Sequence, residues 1–301
     1  MTTFRTACLA LALTAALGGC RSLPADAPGG APAAAAIAAT AATAAPPPND
    51  NLNATAWLQA SVEADMAHRQ TWRAAESLLD AALADPNWDA LTPADRIAPL
   101  AGLPPAVVVD VDETVLDNSP YQVRLIRREA QFDDATWNAW VDEGRAGAVA
   151  GAPEFARAAA ARGVTMIYLT NREHRKSAVT RRNLEALGFP PVAEAHFLGL
   201  GMETPGCTSA GSDKGCRRQW VAQRYRVLMQ LGDQLGDFLS IADNTPAARA
   251  AQLAPFDAWV GQRWFMLANP SYGSWEPALF GNDRTLSVEQ QRAAKRAALQ
   301  D

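Results

Sequence analysis

Val107–Leu116 reads VVVDVDETVL. Three β-branched valines run into aspartates at 110 and 112, followed by a glutamate and a threonine. Continuous apolar runs of this kind belong to parallel strands covered on both faces, so the stretch predicts a buried strand ending in a polar site. Side chains alternate along a strand, which places Asp110 and Asp112 on the same side of its carboxyl end. In open α/β sheets that end is where ligands bind. Two carboxylates so close together repel, and a site that keeps both needs a cation, a shared proton, or one of each. A metal that holds Asp110 ionised leaves it a nucleophile, while Asp112, away from the metal, can keep a proton and act as an acid. A calcium loop also begins DxDxT, but it requires Gly at the sixth position and Glu at the twelfth, where this chain has Val115 and Tyr121.

Downstream, VTMIYL at 164–169 predicts a second strand, ending in Thr170, Asn171 and Arg172, whose hydroxyl, amide and guanidinium are donors suited to phosphate. RVLMQLGDQLGDF, 226–238, predicts a third, with Asp233 at its end and Asp237 in the turn beyond. Between them Lys214 and Gly215 start a helix, and a cation at a helix N-terminus suits an anionic ligand. One long helix is expected over 53–84, stopped by Asp85 and Pro86, and another over 121–144 with Trp137 and Trp140 on one face. Further helices are expected at 153–162 and 174–187, then a short apolar piece at 196–200. A strand at 264–268, the segment NPSYGSWE and a peripheral polar helix from Val288 close the chain. Repeated strand, helix, strand units point to an α/β fold with a parallel sheet and right-handed crossovers.

The first residues carry Arg5, an apolar run from Ala7 to Leu17, and LGGC ending at Cys20. A charged start, a short hydrophobic core and small residues describe an export signal over 1–19 rather than a membrane span. LGGC resembles a bacterial lipobox, which implies cleavage before Cys20 and a lipid anchor on it. Arg21 after the cysteine favours the outer membrane, facing either the periplasm or the outside. Residues 20–50 are dominated by Ala and Pro and cannot bury enough surface to order themselves, so they read as a tether ahead of one domain at 51–301. Without Arg5 the chain keeps 26 basic against 32 acidic residues, a balance that argues against a nucleic-acid polymer as partner. Cys207 and Cys216 are the two cysteines left in the domain. In an exported chain they are expected to form a disulfide; zinc lacks further ligands nearby, and redox chemistry would favour CxxC spacing.

VVDVDETVLDNSPY at 108–121 and VLMQLGDQLGDF at 227–238 together resemble the class C acid phosphatases, the lipoprotein-type branch of the haloacid dehalogenase superfamily. The resemblance runs from about Leu52 to Phe280 and implies a Rossmann-like core with a smaller helical subdomain. It implies that Asp110 attacks phosphorus to form an aspartyl-phosphate, and that Asp112 protonates the leaving alcohol and later activates water. Magnesium would be held by Asp110, the Asp112 backbone carbonyl and Asp233. Thr170, Asn171 and Lys214 would hold phosphate, and Asp237 would orient Lys214. Gln234 departs from the family pattern, which usually has Asn or Thr there, and metal affinity is the property it touches. His68, His174 and His196 are left to structural or surface roles. Well-known members favour nucleoside monophosphates held between aromatic rings, here matched to Trp140 and Tyr272, whereas Trp275 reads as core. A homodimer is carried as an assembly state. The competing readings are a phosphatase for small esters in general, and a binding or adhesion lipoprotein that keeps the fold without the chemistry.

Overall fold

The structure, a computed structural model, describes residues 49–301. The expected signal, Cys20 and all but the last two residues of the tether lie outside the described residues. In chain order the elements are α1 (Leu52–Ala60), α2 (Val62–Ala84), β1 (Pro105–Val109), β2 (Leu116–Asp117), α3 (Ser119–Arg128), α4 (Asp134–Glu143), β3 (Gly147–Ala148) and α5 (Ala152–Ala161). They continue with β4 (Thr165–Glu173), α6 (Ser177–Ala186), β5 (Phe197–Leu200), α7 (Gly215–Ala222), β6 (Arg226–Gly232), α8 (Pro246–Leu253), β7 (Trp264–Met266), α9 (Trp275–Ala278) and α10 (Val288–Ala297).

The valine run forms the middle of a parallel sheet ordered β5-β4-β1-β6-β7. Period-2 alternation sends Val107 and Val109 into one core, with Trp72, Leu79, Phe155 and Tyr168, and Ala106 and Val108 into another, with Ile167, Val221, Phe238 and Trp264. A strand apolar on both faces is stable only when both faces are covered. Burying one such valine contributes about 1.5–3 kcal/mol. Chain order reverses about β1, so the crevice beyond its carboxyl end is the topological switch point. β1 itself stops at Val109, and both aspartates lie in the loop beyond it. There Val115 and Leu116 donate to the Val111 carbonyl, and Glu113 turns through a left-handed φ of +54°.

Two expected helices are each broken in two. The first divides at Ser61, which is extended and whose Oγ accepts the Ala64 N–H at 3.1 Å, capping α2. The second divides after Arg128, where Glu129 adopts a left-handed φ of +51° and Asp133 then caps α4. Their apolar spacing survives the breaks, because a cap interrupts the backbone without moving the buried face. The short antiparallel pair β2·β3 closes the base of α3 and α4 and makes them the smaller helical subdomain. Among the described residues no helix is long and apolar enough to cross a membrane.

The turn after β6 is braced from below by Arg218, which is fully buried. Its guanidinium donates to Asp95 at 2.8 Å, to the Gly236 carbonyl at 3.0 Å and to Ser240 at 3.0 Å. Breaking a buried pair leaves an uncompensated charge, so Asp95→Asn is expected to lose about 3 kcal/mol of stability. Urea denaturation checks this, and a loss below about 0.5 kcal/mol would place the pair among surface-like contacts.

Candidate active site

Asp110 follows β1, Asp233 follows β6, Lys214 caps α7, and Asp237 lies in the turn after Asp233; all four are buried. The Lys214 ammonium donates to Asp110 Oδ1 at 2.5 Å and to Asp237 Oδ1 at 2.8 Å. Gly232 allows this approach, because a Cβ there would meet Asp237 Oδ2 at 2.2 Å. Asp237 Oδ2 accepts the Gln234 N–H, and Asp233 Oδ2 accepts from Gln234 Nε2 and Asn269 Nδ2, each at 2.8 Å. The side chain of Asp237 is thus committed at both oxygens. Asp110 Oδ2 has no partner among the described residues, and Asp233 Oδ1 has only a 3.4 Å contact from Thr114.

Asp110, Asp233 and Asp237 each offer one oxygen within 4.8 Å of the others. Burial raises Asp110 well above the usual carboxylate range; Lys214 opposes the shift, and Asp237, Asp233 and Asp112 reinforce it. Burial pulls Lys214 down, but Asp110 and Asp237 outweigh that and leave it raised. One ammonium facing three carboxylates leaves about two negative charges uncompensated, and buried charge demands protons or a cation. The donor set therefore fits a hard divalent ion, with Asp110 and Asp233 supplying the open oxygens.

Asp112 faces a different set of partners. Its Oδ1 accepts from Arg172 Nε and Asn118 Nδ2, each at 2.9 Å, while Oδ2 has only a 3.5 Å contact with the Thr170 hydroxyl. Arg172 is 2% exposed and also bonds Thr180 and Asn118, so it orients Asp112 and spends most of its donors within the protein. Thr170 is fully buried, and its hydroxyl accepts the Arg172 N–H at 3.0 Å while its proton faces Asp112 Oδ2 at 3.5 Å. Asn171 is exposed, its Oδ1 held by Arg217 at 2.7 Å, and its NH2 group is unpaired among the described residues. Cys207 and Cys216 form a disulfide that closes the loop carrying Lys214.

Trp140 corrects the expected base-stacking pair. It is 2% exposed, its Nε1 donates to Asn118 at 2.8 Å, and the Arg124 guanidinium covers its ring at 4.8 Å. Phe132, which the sequence reading passed over, is 57% exposed and packs edge-on against Tyr121. Trp137 bridges this aromatic group to Arg172, and hence towards Asp112. Tyr272 is half-buried and its hydroxyl bonds Glu113 Oε2. Burial, and then the Glu113 carboxylate, hold that phenol well above its usual range. Trp275, expected in the core, is 36% exposed and lines a cavity of about 300 Å³ with Gln234, Arg249 and Met266.

Asn118, Glu113 and Arg217 are site residues that the sequence reading did not single out. The first two lie inside the ETVLDNS run after the aspartates, which is the one signal available for them. The three histidines stay outside the charge cluster. His68 bonds the Ala268 carbonyl, His174 accepts the Gly199 N–H, and His196 meets Tyr225.

Burial and then Asp237 push Asp233 up to about 7, whereas its unfolded value is about 3.9. The folded chain therefore favours the protonated group; that contribution is complete below about pH 4 and is lost as the pH climbs through 7. In chelator-treated protein the Tm advantage of wild type over Asp233→Asn is expected to shrink from pH 4 to pH 7. Added magnesium should raise the wild-type Tm more at pH 7 than at pH 5. Calorimetry checks both, and a pH-independent difference would show that the cluster carries no excess negative charge.

The family model of the HAD superfamily, subfamily IIIB (acid phosphatase), matches residues 34–275. Acid phosphatase 1 of Solanum lycopersicum is 32% identical over 133 residues, 44% of this chain and 51% of that protein. A stem 31 kDa glycoprotein of Glycine max is 28% identical over 132 residues, with coverage of 44% and 51%. The chain spans about half the length of the curated relatives it matches. The class C acid phosphatase of Bacillus anthracis superposes with a TM-score of 0.70 at 28% identity, covering 83% of this chain and 97% of that one. A tungstate-bound structure of the Bacillus anthracis enzyme matches with the same figures.

Proposed function

Because the chain belongs to subfamily IIIB of the HAD superfamily, the acid phosphatases, we propose that it is a magnesium-dependent phosphomonoesterase working through Asp110, with nucleoside 5'-monophosphates as its preferred substrates. One observation carries the reading: Lys214 lies buried between Asp110 and Asp237 while Asp110 and Asp233 each keep an oxygen open. Phosphoryl transfer asks chiefly for alignment and for charge stabilisation, and this cluster offers both.

Asp110 attacks phosphorus through a carboxylate oxygen, the ester oxygen leaves, and an aspartyl-phosphate results. Asp112 gives its proton to the departing alkoxide, so that a neutral alcohol is released, and then takes a proton from the water that hydrolyses the aspartyl-phosphate. Arg172 and Asn118 fix one Asp112 oxygen and leave the other turned to the reacting group. Lys214 and the Asn171 amide bind the phosphate oxygens, and Asp237 holds Lys214 in place. Asp110, Asp233 and the Asp112 carbonyl would hold magnesium, which supplies Lewis-acid neutralisation of the phosphoryl charge. The tungstate complex of the Bacillus anthracis relative supports a tetrahedral oxyanion as the group recognised.

Nucleotide preference rests on open rings beside the site. With Trp140 buried, the rings a base could meet are Phe132, linked to Arg172 through Trp137; Tyr272, bonded to Glu113; and Trp275, which lines a cavity with Asp233 and Gln234. Stacking of this kind contributes about 1–3 kcal/mol per base and accepts any base. The LGGC segment at 17–20 supports export and a lipid anchor at Cys20 in the outer membrane, so that the substrate would be met outside the cytoplasm.

Phosphate release from adenosine monophosphate and from glycerol phosphate, with magnesium and with chelator, tests the reading. Asp110→Asn is expected to stay folded and lose about 10³-fold or more in kcat, and Asp112→Asn about 10²–10⁴-fold. Phe132→Ala should raise KM for adenosine monophosphate about tenfold and leave glycerol phosphate within about twofold. Wild-type turnover retained in Asp110→Asn would remove the nucleophile assignment, and equal effects of Phe132→Ala on both esters would leave a general small-ester phosphatase.

A further inference from the structure

Asn269–Ser274 is joined to Asp233 of the charge cluster by two side chains, Asn269 and Gln234, and the reaction itself uses neither. Gln234 Nε2 donates to Asp233 Oδ2 at 2.8 Å and to the Tyr272 carbonyl at 3.1 Å, and Gln234 Oε1 accepts the Ser274 N–H at 3.2 Å. Its backbone N–H donates to Asp237 Oδ2 at 2.8 Å. Both amide protons and the amide oxygen are therefore engaged, one end on an aspartate of the cluster and the other on the loop that carries Tyr272. Gly273 shows how closely the two pack: a Cβ there would lie 2.2 Å from Gln234 Oε1 and 2.4 Å from Nε2. Asn269 reaches the same Asp233 oxygen, and the Tyr272 hydroxyl bonds Glu113, next to Asp112.

Building on the phosphatase reading, we propose that Gln234 is a positioning and specificity-determining residue. It fixes where the Tyr272 loop sits over the substrate and couples that position to Asp233. Reach is the reason for glutamine. An asparagine is shorter by about 1.5 Å, one carbon–carbon bond, and cannot span from Asp233 Oδ2 to the Ser274 N–H from the same backbone position. Gly273, at a φ of +155° that side-chain-bearing residues rarely adopt, also leaves room for the longer amide. The loop is consequently tied to the same oxygen that constrains Asp233, so loosening one loosens the other.

The test uses the full chain with Gln234→Asn and, by an independent route, Gln234→Met, which keeps the length of the side chain and removes its donors and acceptor. Hydrogen exchange at the Ser274 N–H is expected to quicken about tenfold in both, the weight of about one hydrogen bond. KM for adenosine monophosphate should rise about tenfold more than KM for glycerol phosphate, because the loop holds the base side of the substrate. Unchanged exchange at Ser274 in Gln234→Asn would overturn the proposal, and so would equal KM changes on the two esters. If wild type hydrolyses neither ester, the phosphatase reading fails, while the exchange measurement still decides whether Gln234 holds the loop. Should Gln234→Asn fail to fold, Gln234→Met carries the same two readouts.

Discussion

The Lys214 ammonium lies between Asp110 and Asp237 and so ties the end of β1, the start of α7 and the turn after β6 to one buried point. Each of these segments follows or precedes an element of the sheet layer, and each brings a charge that burial alone would penalise. The pairing is incomplete by design of its composition: three carboxylates surround one ammonium. Much of the local architecture serves that imbalance. Gly232 lets Asp237 close in, Arg218 steadies the turn from beneath, and the Cys207–Cys216 bond limits the loop from which Lys214 reaches inward.

The central strand and the cluster at its end were legible because both depend on short-range sequence. VVVDVD carries its own periodicity and its own chemistry, and RVLMQLGD repeats the pattern on the next strand of the sheet. The disulfide was legible for a similar reason, since the domain holds just Cys207 and Cys216. The helix breaks at Ser61 and after Arg128 were not. Serine and glutamate are ordinary surface residues in a helix, and their roles as a cap and as a left-handed C-terminus exist only once the flanking helices dock.

The aromatic residues mark the same boundary more sharply. Trp137 and Trp140 share a helical face, and the sequence does not say which of them the subdomain will swallow. Asn118 decides it, by accepting the Trp140 indole N–H while also contacting Asp112 and Arg172. Such a hub is invisible in the sequence, because its partners come from positions far apart in the chain. Arg172 differs for a related reason: its guanidinium suits phosphate in isolation, but in the fold a buried carboxylate and amide engage it.

The β2·β3 pair is only Leu116 and Asp117 against Ala148 and Gly147, yet everything in α3 and α4 leaves and rejoins the sheet through it. The helices nonetheless dock well beyond this pair: Asp142 meets Lys176, Asn138 meets Glu173, Gln122 meets Asn51, and Tyr121, Trp140 and Val141 share the core of Val107 and Val109. Beside these contacts, the Asn118–Asp112–Arg172 group ties the subdomain to the ends of β1 and β4. A change in the subdomain that shifts Asn118 is therefore felt at Asp112, whatever surface it presents outward.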